Sequence, residues 1–263
     1  MKTAPPEDLQ KSLAIYKGLV EVSCLINSIT DYHTLLRQIL SVAQRVIQAE
    51  AASLFLLDED SSDLRLAIAT RSDGGFDEPE IIVPKGKGIV GCVMERNEPL
   101  LIPDAYKDER FYAAADKQTG FLTRSILCAP LRCEGKNIGV LQVLNPLNKP
   151  AFEDIDLEGF SAYANLTATA IEKLRSLEIQ REQDRVQRDL AIAADIQCVL
   201  LSGAIPAALC GVRFSAHSSP ATEVGGDFYG VFCKGEDVID FVMGDVSGKG
   251  IPAALLMTRS LSA

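Results

Sequence analysis

Apolar residues at Leu9, Leu13, Tyr16 and Val20, with Leu19, Ile26 and Ile29 beside them, recur at three- and four-residue intervals and predict a helix from Leu9 to Ile29. Asp31 precedes a second helical pattern, Leu35, Ile39, Val42 and Val46, which ends near Gln48. Its carboxylate is suited to cap that helix by accepting from a free backbone N–H. AASLFLLDED and DLRLAIATR, separated by an acidic, Ser-containing turn, predict a hairpin, and a loop rich in Gly and Asp follows. KGKGIVGCVMERNEPLLIPD then reads as a glycine turn, a short helix and a strand closed by Pro103 and Asp104. SILCAPLRC and NIGVLQVLNP predict a second hairpin around EGKN. From Glu153 to about Leu201 there is no Pro and no Gly except Gly159, so one helix about 70 Å long is allowed. Its middle, EIQREQDRVQRD, is polar on nearly every face and reads as a solvated connector. Beyond it, VRFSAHSSPA, DFYGVFCKG and DVIDFVMGDV predict three strands, and IPAALLMTRSL a helix with Pro252 in its first turn.

The chain has 263 residues, 47% hydrophobic and 24% charged, the balance of one or two globular domains. Its net charge of -10 argues against a nucleic-acid or anionic-membrane surface, because no cluster of Lys and Arg offsets phosphate repulsion. No apolar run approaches the roughly 20 residues that span a bilayer, and MKTAPPEDLQ lacks the apolar core of a secretion signal. A cytoplasmic location without membrane attachment is therefore expected. Seven cysteines without a CxxC pair suit a reducing compartment, where Cys acts as a small apolar residue. The two histidines, His33 and His217, are too few and too far apart for a zinc cage or a His-based triad.

The order of elements across roughly residues 8 to 175, with GKGIVG, PLLIPDA and SILCAPLRCEGKNIGVLQVLN in sequence, resembles the GAF family. The resemblance implies an antiparallel sheet flanked by helices, with a pocket over one face for cyclic nucleotides, tetrapyrroles or other small ligands. Cys92 matches no chromophore-attaching position, so no pigment is expected. NKPAFEDID supplies Asn148, Lys149, Phe152 and Asp156 of the pattern carried by cyclic-nucleotide GAF domains, with Leu157 where that pattern has Glu. An ion pair between Lys149 and Asp156 would lock the last strand to the long helix. In the plainer alternative, Asp154 and Asp156 only favour the positive end of the helix dipole, and Lys149 is solvated. Gly86 and Gly88 either let backbone amides face an anionic ligand or serve as turn residues. Lys149, Asp156, Gly86 and Gly88 are the candidate ligand contacts.

SSPATEVGGDFYG, followed after a strand by FVMGDVSGKGIPAALLM, resembles the bacterial phosphatases of the stage-II-sporulation-E type, within the metal-dependent serine/threonine phosphatase superfamily. The resemblance implies Asp227 as a carboxylate on one metal, Asp245 as the carboxylate bridging two, and the Val246 carbonyl beside it. The metals would be Mn2+ or Mg2+, hard ions that take oxygen ligands and lower the pKa of a bound water. As plain structure, Asp245 caps the following helix and Asp227 is a turn residue. GDVSGKG is not a phosphate loop, which needs four residues between its glycines and Ser or Thr after the Lys. Gly230 departs from the family, which usually has a further Asp there, and the resemblance covers only about the first third of such a domain. The downstream aspartates being absent, the chain alone is expected to be inactive.

The resulting fold class is α+β: an N-terminal dimerisation helix at residues 1–30, a GAF sensor at 31–152, a connector helix at 153–201 and the opening part of an α/β-sandwich phosphatase at 202–263. The expected function is a ligand-regulated phosphatase acting on a phosphorylated regulatory protein of the anti-sigma-factor-antagonist type. The alternative is a non-catalytic ligand-binding and dimerisation module with a vestigial phosphatase segment. A parallel homodimer is expected through the first helix and the start of the long one, where Phe160, Tyr163, Leu166, Ala170, Leu174 and Leu177 form an apolar stripe.

Overall fold

The computed structural model describes residues 16–18, 20–24, 29, 31–58, 60–70, 74–78, 80–111, 121–203, 208–209, 212–220, 223–233, 238–248 and 250–261. The chain forms two compact units, Met1–Leu177 and Glu178–Ala263. Most of the expected first helix lies outside the described residues, as do residues 112–120 and Lys249, although 16–18 and 20–24 are helical.

In the first unit, α1 (Tyr32–Ile47) starts where Asp31, in extended conformation, accepts from the Thr34 N–H at 2.7 Å. It stops where Gln48 turns left-handed at φ 54 and its N–H returns to the Gln44 carbonyl. The strands β1 (Ala49–Leu57), β2 (Leu64–Thr70), β3 (Phe76–Asp77), β4 (Ile82–Val83), β5 (Leu100–Ile102), β6 (Ile126–Cys133) and β7 (Lys136–Pro146) form one sheet. Its order is β3-β2-β1-β7-β6-β5, with β4 also pairing β2, and the pairings are antiparallel. Both expected hairpins are present, β1–β2 turned by Asp58, which accepts from the N–H groups of Asp60 and Ser61, and β6–β7 turned at Glu134–Gly135.

Alternation along the strands feeds two cores. One face carries Ala52, Leu54, Leu127, Ala129, Leu141 and Val143 and is covered by α1 and the first part of α3 (Asp154–Gly203). The other carries Phe55, Leu66, Ile126, Cys128 and Val140 under α2 (Gly88–Arg96) and the short 3-10 turn Ala105–Lys107.

Phe160, Tyr163, Ala170 and Leu174 all lie in the first of these cores, and Tyr163 donates to the Ile39 carbonyl at 2.7 Å. The stripe expected to meet a second copy is thus largely used up on the protomer's own sheet. Of its members only Leu177 is exposed.

The second unit takes up the rest of α3 and continues through β8 (Ala208–Leu209), β9 (Val212–Arg213), β10 (Asp227–Cys233), β11 (Ile239–Asp245) and α4 (Ile251–Leu261). The strand expected over VRFSAHSSPA reduces to the two residues of β9, because 214–220 have no ladder partner among the described residues. Where the opening part of a sandwich is expected, the described residues form two hairpins and a helix. One face of β11 is bare, with Phe241 78% and Met243 82% exposed, so no second sheet covers it among the described residues.

At Gly139, where β7 pairs with β1 opposite Leu56, a Cβ would collide with the Phe55 carbonyl oxygen. Gly139→Ala should lower stability by about 2 to 3 kcal/mol, since the obstacle is backbone that cannot step aside. Urea unfolding of the two proteins measures it, and equal midpoints would contradict the close approach.

Candidate functional site

The first unit's polar side chains concentrate where β7 leaves the sheet and the chain turns into α3. Lys149 pairs with Asp156 and, at 3.0 Å, with Glu153. The Asp156 carboxylate also accepts from the Glu153 N–H at 2.8 Å, reaching back from the first turn of α3 as a capping-box side chain does. The Lys149 and Asp156 side chains are 18% and 10% exposed, so the charges are largely removed from water. Phe152, between them in sequence, is buried in the core, and its N–H donates to the Ser125 hydroxyl at 3.2 Å. Asn148 lies outside this junction, at the surface, where it donates to the Gln48 side chain.

A residue that pattern reading passed over holds the junction together. Asn145, fully buried with φ 53, accepts at Oδ1 from the N–H groups of Arg124 and Ser125 at 2.7 and 3.2 Å. Its Nδ2 donates to the Glu50 carboxylate and the Leu122 carbonyl, both at 2.8 Å. Arg124 donates to the other Glu50 oxygen at 2.6 Å, and Ser125 donates to the Ile102 carbonyl at 2.9 Å. Burial pushes the Glu50 carboxyl up, but hydrogen bonds from Asn145 and Arg124 overcome it and hold the pKa below its ordinary value. With the folded value below the unfolded one, this contribution is present above the ordinary Glu range and fades as pH falls through the lowered value. The available signal was a polar residue, Asn145, closing an apolar strand run.

On the sheet's second face, pairing aligns Cys128, Gln142 and Ser53 across β6, β7 and β1. Ser53 donates to Gln142 at 3.1 Å, and burial pushes the Cys128 thiol far up while Gln142 bonds to it. Cys128 is therefore a neutral core thiol. Arg110 grips Asp108 at 2.8 and 2.6 Å and reaches the Cys92 sulfur at 3.6 Å, tying this loop to α2. Gly86 and Gly88 adopt φ of +73 and +66, and the Glu95 carboxylate lies 3.1 Å from where a Gly86 Cβ would be. The left-handed torsions fit a turn role for both glycines, and the Glu95 carboxylate faces Gly86.

In the second unit, Asp227 and Asp245 are register partners at the open end of the β10–β11 ladder. A Cβ at Gly226 would sit 2.6 Å from the Val246 carbonyl and 3.3 Å from Asp245 Oδ1, so the bare glycine leaves room where these oxygens converge. Among the described residues no three His, Cys, Asp or Glu side chains gather into a metal cluster.

Asp156→Ala deletes both the ion pair and the backbone cap and, of this pair of carboxylates, leaves the mostly buried Lys149 with Glu153. A loss of about 2 to 3 kcal/mol is expected, with a smaller loss for Asp156→Asn, which can still accept from the Glu153 N–H. Denaturant melts of both variants check the order, and equal effects would show that charge and cap do not act as described.

The GAF domain family matches residues 31–171. The chain is 34% identical over 182 residues, 61% of its length, to the dual 3',5'-cyclic-AMP and -GMP phosphodiesterase 11 of Drosophila melanogaster. It is 28% identical over 198 residues, 72% of its length, to the probable 3',5'-cyclic phosphodiesterase pde-5 of Caenorhabditis elegans. These alignments span only 12% and 27% of the two relatives. In fold, it is similar to the GAF domain of a phosphoenolpyruvate-protein phosphotransferase from Coxiella burnetii, with a TM-score of 0.55, 19% identity, and coverage of 64% of this chain and 98% of that one. The family match ends at residue 171 and does not extend to the phosphatase-like motifs. With its seven-stranded antiparallel sheet between α1 and α3 on one side and α2 on the other, the chain belongs to the GAF domain family.

Proposed function

We propose that this chain is a signal-transduction module whose GAF unit binds a cyclic nucleotide and passes its occupancy to α3. The observation that carries the proposal is the buried pair of Lys149 and Asp156 at the start of α3, which ties the exit of the sheet to the helix. The likeness to relatives named as cyclic-nucleotide phosphodiesterases supports the ligand class. A ligand that binds only the folded state stabilises it by mass action, by about 2.7 kcal/mol at a hundredfold excess over Kd. Cyclic AMP or cyclic GMP at millimolar concentration should raise the melting temperature, and Asp156→Ala should shrink that rise. A melt unmoved by either nucleotide rules out this ligand class.

Self-association belongs to the same proposal, in changed form. Ile179 and Val186, seven residues apart on α3, are 54% and 48% exposed, and a second copy of the helix would cover them. Ile179→Glu with Val186→Glu should convert a sedimenting dimer to a monomer, whereas a monomeric unmutated chain excludes the dimer.

A second reading concerns the hairpin and is favoured by the register that sets Asp227 opposite Asp245. Both carboxylates and the Val246 carbonyl are hard oxygen donors, and Mg2+ is often held by one or two carboxylates with waters filling the rest of its shell. In the phosphatase reading such an ion supplies Lewis acidity and an activated water. Asp227 and Asp245 would hold it, and a phosphorylated regulatory protein would be the substrate.

A further inference from the structure

Gln197 is nearly fully buried, and its side-chain amide grips both ends of one residue's backbone. Nε2 donates to the Gly225 carbonyl at 2.7 Å, while Oε1 accepts from the Gly225 N–H at 3.0 Å. This is the side-chain counterpart of a β-bridge, made to the point in the turn where two glycines in succession leave the backbone least constrained. The path continues through Gly226, whose carbonyl accepts from the Val246 N–H at 3.2 Å. Asp227 follows Gly226, Asp245 precedes Val246, and the two aspartates are register partners. Val224, next to Gly225, and Leu201, one helical turn beyond Gln197, are both buried.

We propose that Gln197 is a positioning residue by which α3 sets the geometry of the Asp227–Asp245 pair. The grip depends on the phase of the helix. Rotation by a single residue swings a side chain about 100° around the axis, so the two bonds are made or lost together. Gly225 and Gly226 carry no side chains, and the aspartates themselves are exposed. A change in α3 at Gln197 would therefore reach the carboxylates through three consecutive backbone links. The proposal deepens, and rests on, the reading of Asp227 and Asp245 as cation ligands.

The test uses the full chain with Gln197→Leu, which removes both bonds, and Gln197→Glu, which keeps the acceptor and loses the donor. Amide exchange at Gly225 and through Asp227–Asp245 should quicken about tenfold in the first and less in the second, with β1 and β7 unchanged as a check of folding. Mn2+ affinity, read by calorimetry, should fall in the same order, about tenfold for Gln197→Leu. Unchanged exchange in both variants overturns the proposal, and so does faster exchange with unaltered Mn2+ affinity. If the unmutated chain binds no Mn2+, the cation reading falls, and exchange alone decides whether Gln197 holds the turn.

Discussion

The first unit depends on the satisfaction of one buried amide. Asn145 sits with left-handed backbone at the end of β7, where the sheet stops and its ladder can no longer pair the backbone of neighbouring segments. Its side chain takes over that work, accepting from two N–H groups before β6 and donating to a carboxylate on β1 and a carbonyl at Leu122. Each of these groups, if left buried and unpaired, would cost more than a hydrogen bond ordinarily contributes. Around this centre the start of α3 is placed: Ser125 receives the Phe152 N–H, and Lys149 and Asp156, on either side of Phe152 in sequence, close the turn. Sheet exit and helix entry are thereby one polar assembly with an apolar plug, Phe152, in its middle.

This arrangement bears on how a GAF unit can signal. The two cores are separated by the sheet, and among the described residues the core side chains of α3 lie in the one on the face away from α2. Any event on the α2 face reaches α3 through the strands or through the junction. The Cys128–Gln142–Ser53 row shows that the centre of that face is satisfied internally, its polar atoms bonded to one another across three strands. The junction is the other path, and there charged groups held at short range tie the strand end to the helix.

The second unit is built on a different balance. Its apolar side chains are in part exposed, Phe241 and Met243 most of all, while Ala253, Met257, Val224 and Leu201 are each buried. Hydrogen bonding compensates for the thin packing around the aspartate turn, where Gln197 and Val246 hold the glycines from both sides. The glycine at 226 is required by the close approach of the Val246 carbonyl, not by an unusual torsion.

Residue order alone determined the features whose causes are local. The cap at Asp31, the two hairpins, the glycine turn before α2 and the uninterrupted α3 all follow from periodicity, capping chemistry and the absence of Pro, because each is settled within a few residues. The pairing of Lys149 with Asp156 was legible for the same reason, the two being seven residues apart across a turn. Only the tertiary structure decided the rest. Asn145 meets Glu50 across 95 residues and Gln197 meets Gly225 across 28, and such contacts arise from strand register and helix phase. It was the tertiary structure, too, that turned Phe160, Tyr163, Ala170 and Leu174 inward onto their own sheet. An apolar stripe states that burial is favourable; which surface buries it is settled by the three-dimensional closure of the chain.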